Sequence, residues 1–111
     1  MATLLPTDLN DNPIPAIRLK SGGAHSISSG ASSTRNSTAF ETDTKVISLY
    51  ATEDVYVKCG DSSVTATASD HFFPKGVYYD LAIAGEGTAQ YTHIAVLQVS
   101  TAGTVYISEK E

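Results

Sequence analysis

The chain has no tryptophan, one cysteine and only seven basic residues, and each shortage excludes something. The single cysteine, Cys59, rules out an intramolecular disulfide framework. The scattered Lys and Arg residues face twelve acidic ones, giving a net charge of -5. Binding to nucleic-acid phosphates needs clustered basic side chains, so we expect no nucleic-acid partner.

Long apolar runs are missing as well. No stretch approaches the roughly 20 apolar residues of a transmembrane helix, and the first twenty residues lack the basic start and apolar run of a signal peptide. We expect a soluble chain without a membrane partner, assembled in a cytoplasm. With 111 residues it is long enough for one domain with a modest core.

Hydroxyl side chains dominate the composition. Ser and Thr supply 26 residues, whereas charged residues make up only 17% of the chain. Surface helices usually depend on Glu, Lys and Arg, while β-branched and hydroxyl residues suit strands and turns. We therefore predict strands and turns with little or no helix.

The most regular pattern covers residues 45–60, KVISLYATEDVYVKCG. Apolar and polar positions alternate in two segments that are separated by the polar residues 52–54, which predicts an antiparallel hairpin. The predicted inward residues are Ile47, Leu49, Ala51, Val55, Val57 and Cys59. The outward ones include Tyr50, Tyr56 and Lys58.

Weaker alternating segments fill the rest of the chain. Residues 24–40 fit two weak edge strands, 77–84 fit one strand and 104–108 another. Residues 94–99 are apolar on both faces, which predicts a strand inside the sheet system. The spacing of turns predicts an all-β fold, a single antiparallel β-sandwich of about seven or eight strands, jelly-roll or Ig-like, over residues 24–111.

Residues 1–23 differ from this domain, because prolines and turn-forming residues forbid a continuing helix. We predict an extended N-terminal arm. Its apolar content favours an arm that lies on its own domain or on a neighbouring subunit, and a frayed terminus is the equal alternative. The candidate contact residues in the arm are Ile14, Pro15, Ile17 and Leu19.

Catalytic patterns are weak throughout. No serine lies in a Gly-x-Ser-x-Gly elbow, and the three histidines, His25, His71 and His93, each have a local explanation. We expect no enzyme, no cofactor and no metal. The outward Tyr50 and Tyr56 form a candidate aromatic pair, for a carbohydrate or, as we prefer, for cross-strand packing or a subunit contact.

Five segments follow one another along residues 25–109: the Ser/Ala-rich stretch that ends in Ala39-Phe40, then VISLYATEDVYVKCG, DSSVTATASD, FFPKGV and IAVLQVSTAGTVYISE. Their order resembles that of small β-rich structural proteins, of the head and decoration type, in tailed bacteriophages. The resemblance implies a virion protein, present in many copies, and it supplies no catalytic residues.

From the resemblance, the acidic charge and the arm we expect a capsid decoration or cement protein on the outside of the head. Its partners would be the major capsid protein or other virion proteins and further copies of itself, with a trimer as one arrangement. A head-to-tail connector or tail appendage is the structural alternative. A carbohydrate-binding β-sandwich module is the alternative of another class.

Overall fold

The computed structural model describes residues 7–12, 18–85 and 87–110. Within these ranges the chain is all-β, with eight strands and no helix, which confirms the predicted all-β class and strand number. The strands are β1 Leu19–Ser29, β2 Thr34–Arg35, β3 Val46–Ala51, β4 Val55–Gly60, β5 His71–Phe73, β6 Tyr78–Ala82, β7 His93–Gln98 and β8 Gly103–Lys110.

The strands form two sheets of four, and every pairing is antiparallel. Sheet 1 has the order β1-β8-β3-β6 and sheet 2 the order β2-β7-β4-β5. Strand β7 has a neighbour on each side, and its residues Ile94, Ala95 and Val96 are fully buried. The predicted interior strand is therefore confirmed.

The predicted hairpin over residues 45–60 is wrong in its pairing. Strand β3 pairs with β6 and β8 in sheet 1, whereas β4 pairs with β5 and β7 in sheet 2. The polar residues 52–54 thus carry the chain from one sheet to the other. The weak pair predicted in 24–40 is divided in the same way, because β1 lies in sheet 1 and β2 in sheet 2.

The core lies between the two sheets and takes side chains from both. Its fully buried members include Ile47 and Leu49 from sheet 1 and Val55 and Val57 from sheet 2. The inward residues predicted from alternation are therefore correct, with Cys59 partly buried against the cluster. Two four-stranded antiparallel sheets around one core form an arrangement compatible with a β-sandwich.

A buried carboxylate completes the core near the end of β8. Glu109 is 2% exposed, and its Oε1 accepts hydrogen bonds from the Thr44 hydroxyl at 2.6 Å and the Glu41 N–H at 2.8 Å. Its Oε2 lies 2.8 Å from Nε2 of His25. Burial raises the pKa of Glu109, but these hydrogen bonds outweigh burial and lower the pKa overall. The carboxylate therefore stays ionised and ties β1 and the segment before β3 to β8.

Part of the predicted arm is described. Asp8 organises a turn, because its Oδ1 accepts hydrogen bonds from the N–H groups of Asn10 at 2.8 Å and Asn12 at 3.0 Å. Strand β1 begins at Leu19, so residues 19–23 belong to a strand of sheet 1. The division of the chain at residue 23 stays a prediction.

Candidate interaction surfaces

The predicted contact residues fall in three places. Ile14, Pro15 and Ile17 lie outside the described residues. Leu19 is 66% exposed at the start of β1. Tyr50 lies on sheet 1, while Tyr56 and Lys58 lie on sheet 2, so the structure does not bring the predicted Tyr50–Tyr56 pair together.

The outer face of sheet 1 carries three tyrosines in one row. Tyr78 of β6 and Tyr106 of β8 both stand opposite Tyr50 of β3 in the strand register. We call Tyr78, Tyr50 and Tyr106 the tyrosine row. Their exposed fractions are 55%, 38% and 52%. Since neighbouring strands lie about 4.8 Å apart, the row is roughly 10 Å long.

Small hydroxyl residues surround the tyrosine row. Ser26 of β1 stands opposite Tyr106 and extends the row across the fourth strand. The outward positions on either side of the row are mostly hydroxyls as well. The hydroxyl residues at these positions are Ser48, Ser108, Thr104 and Ser28.

Lys110 holds one end of the row in place. Its Nζ lies 5.0 Å from the centroid of the Tyr78 ring and 3.1 Å from Oδ1 of Asp80. A hydrogen bond with the Tyr78 side chain, together with the Asp80 carboxylate, raises the pKa of Lys110 although burial opposes this. The cation and the anion compensate each other, so this part of the face carries no net charge.

The outer face of sheet 2 is partly covered. The segment between β4 and β5 folds back over it, and Val64 and Ala66 pack on Ala95, with Leu97 at the margin. Gly60 permits this return, since a Cβ there would lie 2.8 Å from Cγ2 of Val64. Close packing of this kind forms a second, smaller apolar cluster outside the main core.

The aromatic residues on this second face contact each other. Tyr56 of β4 stands opposite Phe72 of β5, and their ring centroids are 6.2 Å apart in an edge-to-face arrangement. Lys58, two residues along β4, is exposed. Tyr56 thus makes a cross-strand aromatic contact, and its role in a subunit contact stays a prediction.

A cleft of about 400 Å³ opens between the β5 edge of sheet 2 and the β6 edge of sheet 1. Its polar groups include Cys59 and Asp70. Burial raises the pKa of the Cys59 thiol, which keeps it protonated. The Asp70 carboxylate accepts a hydrogen bond from the Thr67 N–H at 2.7 Å, which lowers its pKa and engages the oxygen. Neither group is arranged as a nucleophile or a general base.

The three histidines lie apart from one another in the fold. His25 contacts Glu109, His71 is exposed on β5, and His93 is buried beside the Thr92 hydroxyl. In the described ranges, no three His, Cys, Asp or Glu side chains form a group that could hold a metal ion. Those ranges also contain no helix of the length and apolarity that would cross a membrane.

Comparisons of the chain with models of known protein families, with curated proteins and with solved structures found no match.

Two members of the tyrosine row, Tyr78 and Tyr106, were not singled out by the sequence. The alternation of residues along each strand nevertheless indicates their direction. Tyr78 precedes the inward Tyr79, and Tyr106 lies between the buried Val105 and Ile107. Alternation alone therefore points both outward. Their meeting with Tyr50 depends on the strand order, which alternation does not contain.

Proposed function

We propose that this chain is a non-enzymatic structural protein of a tailed-bacteriophage virion, which decorates the outer surface of the head. The observation that supports the proposal most is the strand order. The orders β1-β8-β3-β6 and β2-β7-β4-β5, with eight antiparallel strands, favour a jelly roll. Jelly rolls are common in viral capsid and lectin domains.

Consecutive strands mostly alternate between the two sheets, which favours the jelly roll over the Ig-like topology. In an Ig domain the first two strands share a sheet, whereas here β1 and β2 lie in different sheets. Among the strands that the structure describes, only one consecutive pair, β4 and β5, is hydrogen-bonded. Nearly every connection therefore crosses the core.

The arm supports contact with a partner. Leu9 is fully exposed and Leu19 is 66% exposed, so two aliphatic side chains of the predicted arm are largely uncovered within the described chain. A decoration protein stabilises a shell by burying surface across capsomer boundaries, and such contacts suit an apolar arm. The partners would be the major capsid protein and further copies of this chain, with a trimer as one arrangement.

Charge is consistent with this role. A net charge of -5 repels packaged DNA, so the protein would avoid nonspecific DNA binding during assembly in the host cytoplasm. Charge alone does not distinguish a head protein from a head-to-tail connector or tail appendage, which is the alternative.

The test is quantitative mass spectrometry of purified particles of the phage that encodes the chain. A decoration protein should be present in hundreds of copies per particle, on a scale comparable with the major capsid protein. A dozen copies or fewer would favour the connector or appendage instead. Absence from the particle would refute the virion role.

Deletion of residues 1–18 tests the arm separately, because this deletion leaves β1 intact. The truncated protein should fold and lose occupancy on the head. Unchanged occupancy would show that the domain alone makes the contacts.

A further inference from the structure

The tyrosine row combines exposed aromatic rings, neighbouring hydroxyls and a neutral local charge. We propose that it is a binding site for an extended, neutral, β-linked oligosaccharide. The proposal does not depend on the virion role, because it rests on the face of sheet 1 alone.

Two rings of the row, those of Tyr50 and Tyr106, are available to a ligand, whereas the Tyr78 ring lies against the Lys110 ammonium. In the part of the chain that the structure describes, the aromatic contacts join His25 with Phe40, Tyr56 with Phe72 and Phe73 with Tyr79. None joins two members of the row. The tyrosines that pack on other rings are therefore Tyr56 and Tyr79, while Tyr50 and Tyr106 have no ring contact in the described chain and are open to another molecule.

The spacing of the row suits a chain of sugars. Neighbouring strands place the three tyrosines about 4.8 Å apart, in a straight line across β6, β3 and β8. In extended β-linked glycans, successive pyranose rings repeat at a similar spacing. Each C–H face of a pyranose can lie against the negative face of an aromatic ring. The row is therefore about as long as three consecutive sugars.

The surrounding side chains match a sugar's hydroxyl groups. Ser26 and Ser28 are exposed on β1, and Ser108 and Thr104 are half-buried on β8. Hydroxyls both donate and accept hydrogen bonds, so they can adapt to either role of a sugar hydroxyl.

Charge favours a neutral glycan over an acidic or a basic one. The charged residues beside the row, Lys110 and Asp80, form an ion pair of 3.1 Å. The pair also fixes the ring of Tyr78 by placing the Lys110 ammonium 5.0 Å from its centroid. A ring that is held before the ligand arrives loses less conformational freedom on binding.

A second copy of the chain fits this face less well. A stable protein interface uses about 20–30 residues on each side, whereas the four strands of sheet 1 offer only about a dozen outward side chains. Apart from the tyrosines, these are mostly small or hydroxyl residues, and the aliphatic side chains typical of an interface core are few. A short oligosaccharide needs less area.

The test is a calorimetric and NMR titration of the full chain with four neutral β-1,4-linked hexasaccharides: cellohexaose, xylohexaose, chitohexaose and mannohexaose. At least one should bind, with amide shifts confined to β3, β6, β8 and the neighbouring part of β1. Affinity should change little between low and high salt, because the site is neutral.

Variants locate the site. Tyr50→Ala, at the centre of the row, should weaken binding about tenfold or more, in line with the loss of one stacking contact. Tyr50→Phe keeps the ring and should retain most of the affinity. The matched control is Phe72→Ala, which removes a 53% exposed ring from the other sheet and should leave affinity unchanged.

Three results of the binding experiments would overturn the proposal. They are the absence of binding by all four sugars at millimolar concentration, shifts that map to sheet 2 or to the cleft, and wild-type affinity in a Tyr50→Ala, Tyr106→Ala double variant. Sedimentation that shows a dimer lost in the double variant would also overturn it, because a second copy would then occupy the row. Virion copy number is measured separately, so failure of one proposal is distinguishable from failure of the other.

Discussion

The two sheets expose very different outer faces, although both have alternating strands. Sheet 2 carries Ala95 and Leu97 outward, and the segment 61–70 folds back to cover them with Val64 and Ala66. Sheet 1 carries tyrosines and small hydroxyl residues outward and has no such cover within the described chain. The side chains at the outward positions thus decide whether a segment packs over a face. Burial of apolar side chains stabilises such packing, whereas burial of hydroxyl groups adds little stability.

The inner faces differ as well. Sheet 1 buries the Glu109 carboxylate with His25, while sheet 2 holds the buried amide of Asn36, whose Oδ1 accepts a hydrogen bond from the Ile94 N–H at 2.8 Å. A buried charge depends more on its partners than a buried amide does. Loss of a buried polar group should therefore destabilise sheet 1 more than sheet 2. The outer face of sheet 1 is also the less covered of the two.

The largest effect should come from Glu109→Ala. The substitution leaves the Thr44 hydroxyl, the Glu41 N–H and the His25 ring without their common acceptor, and each buried donor left unsatisfied costs about 1–3 kcal/mol. Chemical denaturation at pH 7 measures the free energy of unfolding. Asn36→Ala, the counterpart in sheet 2, should cost about 1–3 kcal/mol. Equal losses in the two variants would contradict the difference between the sheets.

Acid should weaken sheet 1 through the same carboxylate. The pKa of Glu109 is lower in the folded chain than its ordinary value of 4.5, because hydrogen bonds, including the one with His25, outweigh the opposite effect of burial. The stabilisation is thus complete above pH 4.5 and is lost as pH falls through the folded-state pKa. Denaturation curves from pH 7 downward should show this loss.

Glu109→Gln is the variant that isolates this contribution, since it cannot ionise. Its unfolding free energy should depend less on pH below 4.5 than that of the wild type. Some dependence should remain, because hydrogen bonds from Ser63 and Thr67 also lower the pKa values of Asp61 and Asp70 in the segment that covers sheet 2. An unchanged pH dependence would mean that Glu109 is not the group that titrates.

Alternation predicted which residues face the core but not which strands pair. Ile47, Leu49, Val55 and Val57 were assigned correctly, because one buried face imposes a period of two on any strand. Two consecutive strands show the same alternation of apolar and polar residues whether they are hydrogen-bonded to each other or face each other across a core. The polar residues 52–54 suit either connection, so the hairpin and the crossing were indistinguishable in the sequence.

The same limit explains the candidate site. Tyr50 and Tyr56 were predicted to lie together because a hairpin would place them on one face. The crossing between sheets places them on opposite faces of the molecule. Tyr50 instead meets Tyr78 and Tyr106 through pairings between strands that are distant in sequence. The outward direction of each tyrosine was predictable from the sequence. Their alignment in one row depends on the register between strands, which the sequence pattern does not contain.

A moderate effect is expected from Gly60→Ala, which acts on the cover of sheet 2. The new Cβ would lie 2.8 Å from Cγ2 and 2.9 Å from Cβ of Val64, so Val64 must move away from the sheet. Overpacking of this kind costs about 1–3 kcal/mol. Hydrogen exchange should show faster exchange in residues 61–70.

Gly30→Ala is the matched control for this change. A Cβ at Gly30 meets no atom within 4 Å, so exchange in 61–70 and stability should stay near the wild type. If both variants behave alike, the close approach of Val64 to Gly60 does not hold the cover in place.

The smallest effect should come from Tyr106→Ala on the open face. The side chain is 52% exposed, and substitutions at such positions usually change stability by about 0.5 kcal/mol or less. Tyr79→Ala is the matched comparison, because Tyr79 packs on the core with its ring 4.9 Å from that of Phe73. Its removal should cost about 2 kcal/mol or more. A large loss of unfolding free energy in Tyr106→Ala would show that the row stabilises the fold. Its rings would then be engaged in packing and not available to a ligand.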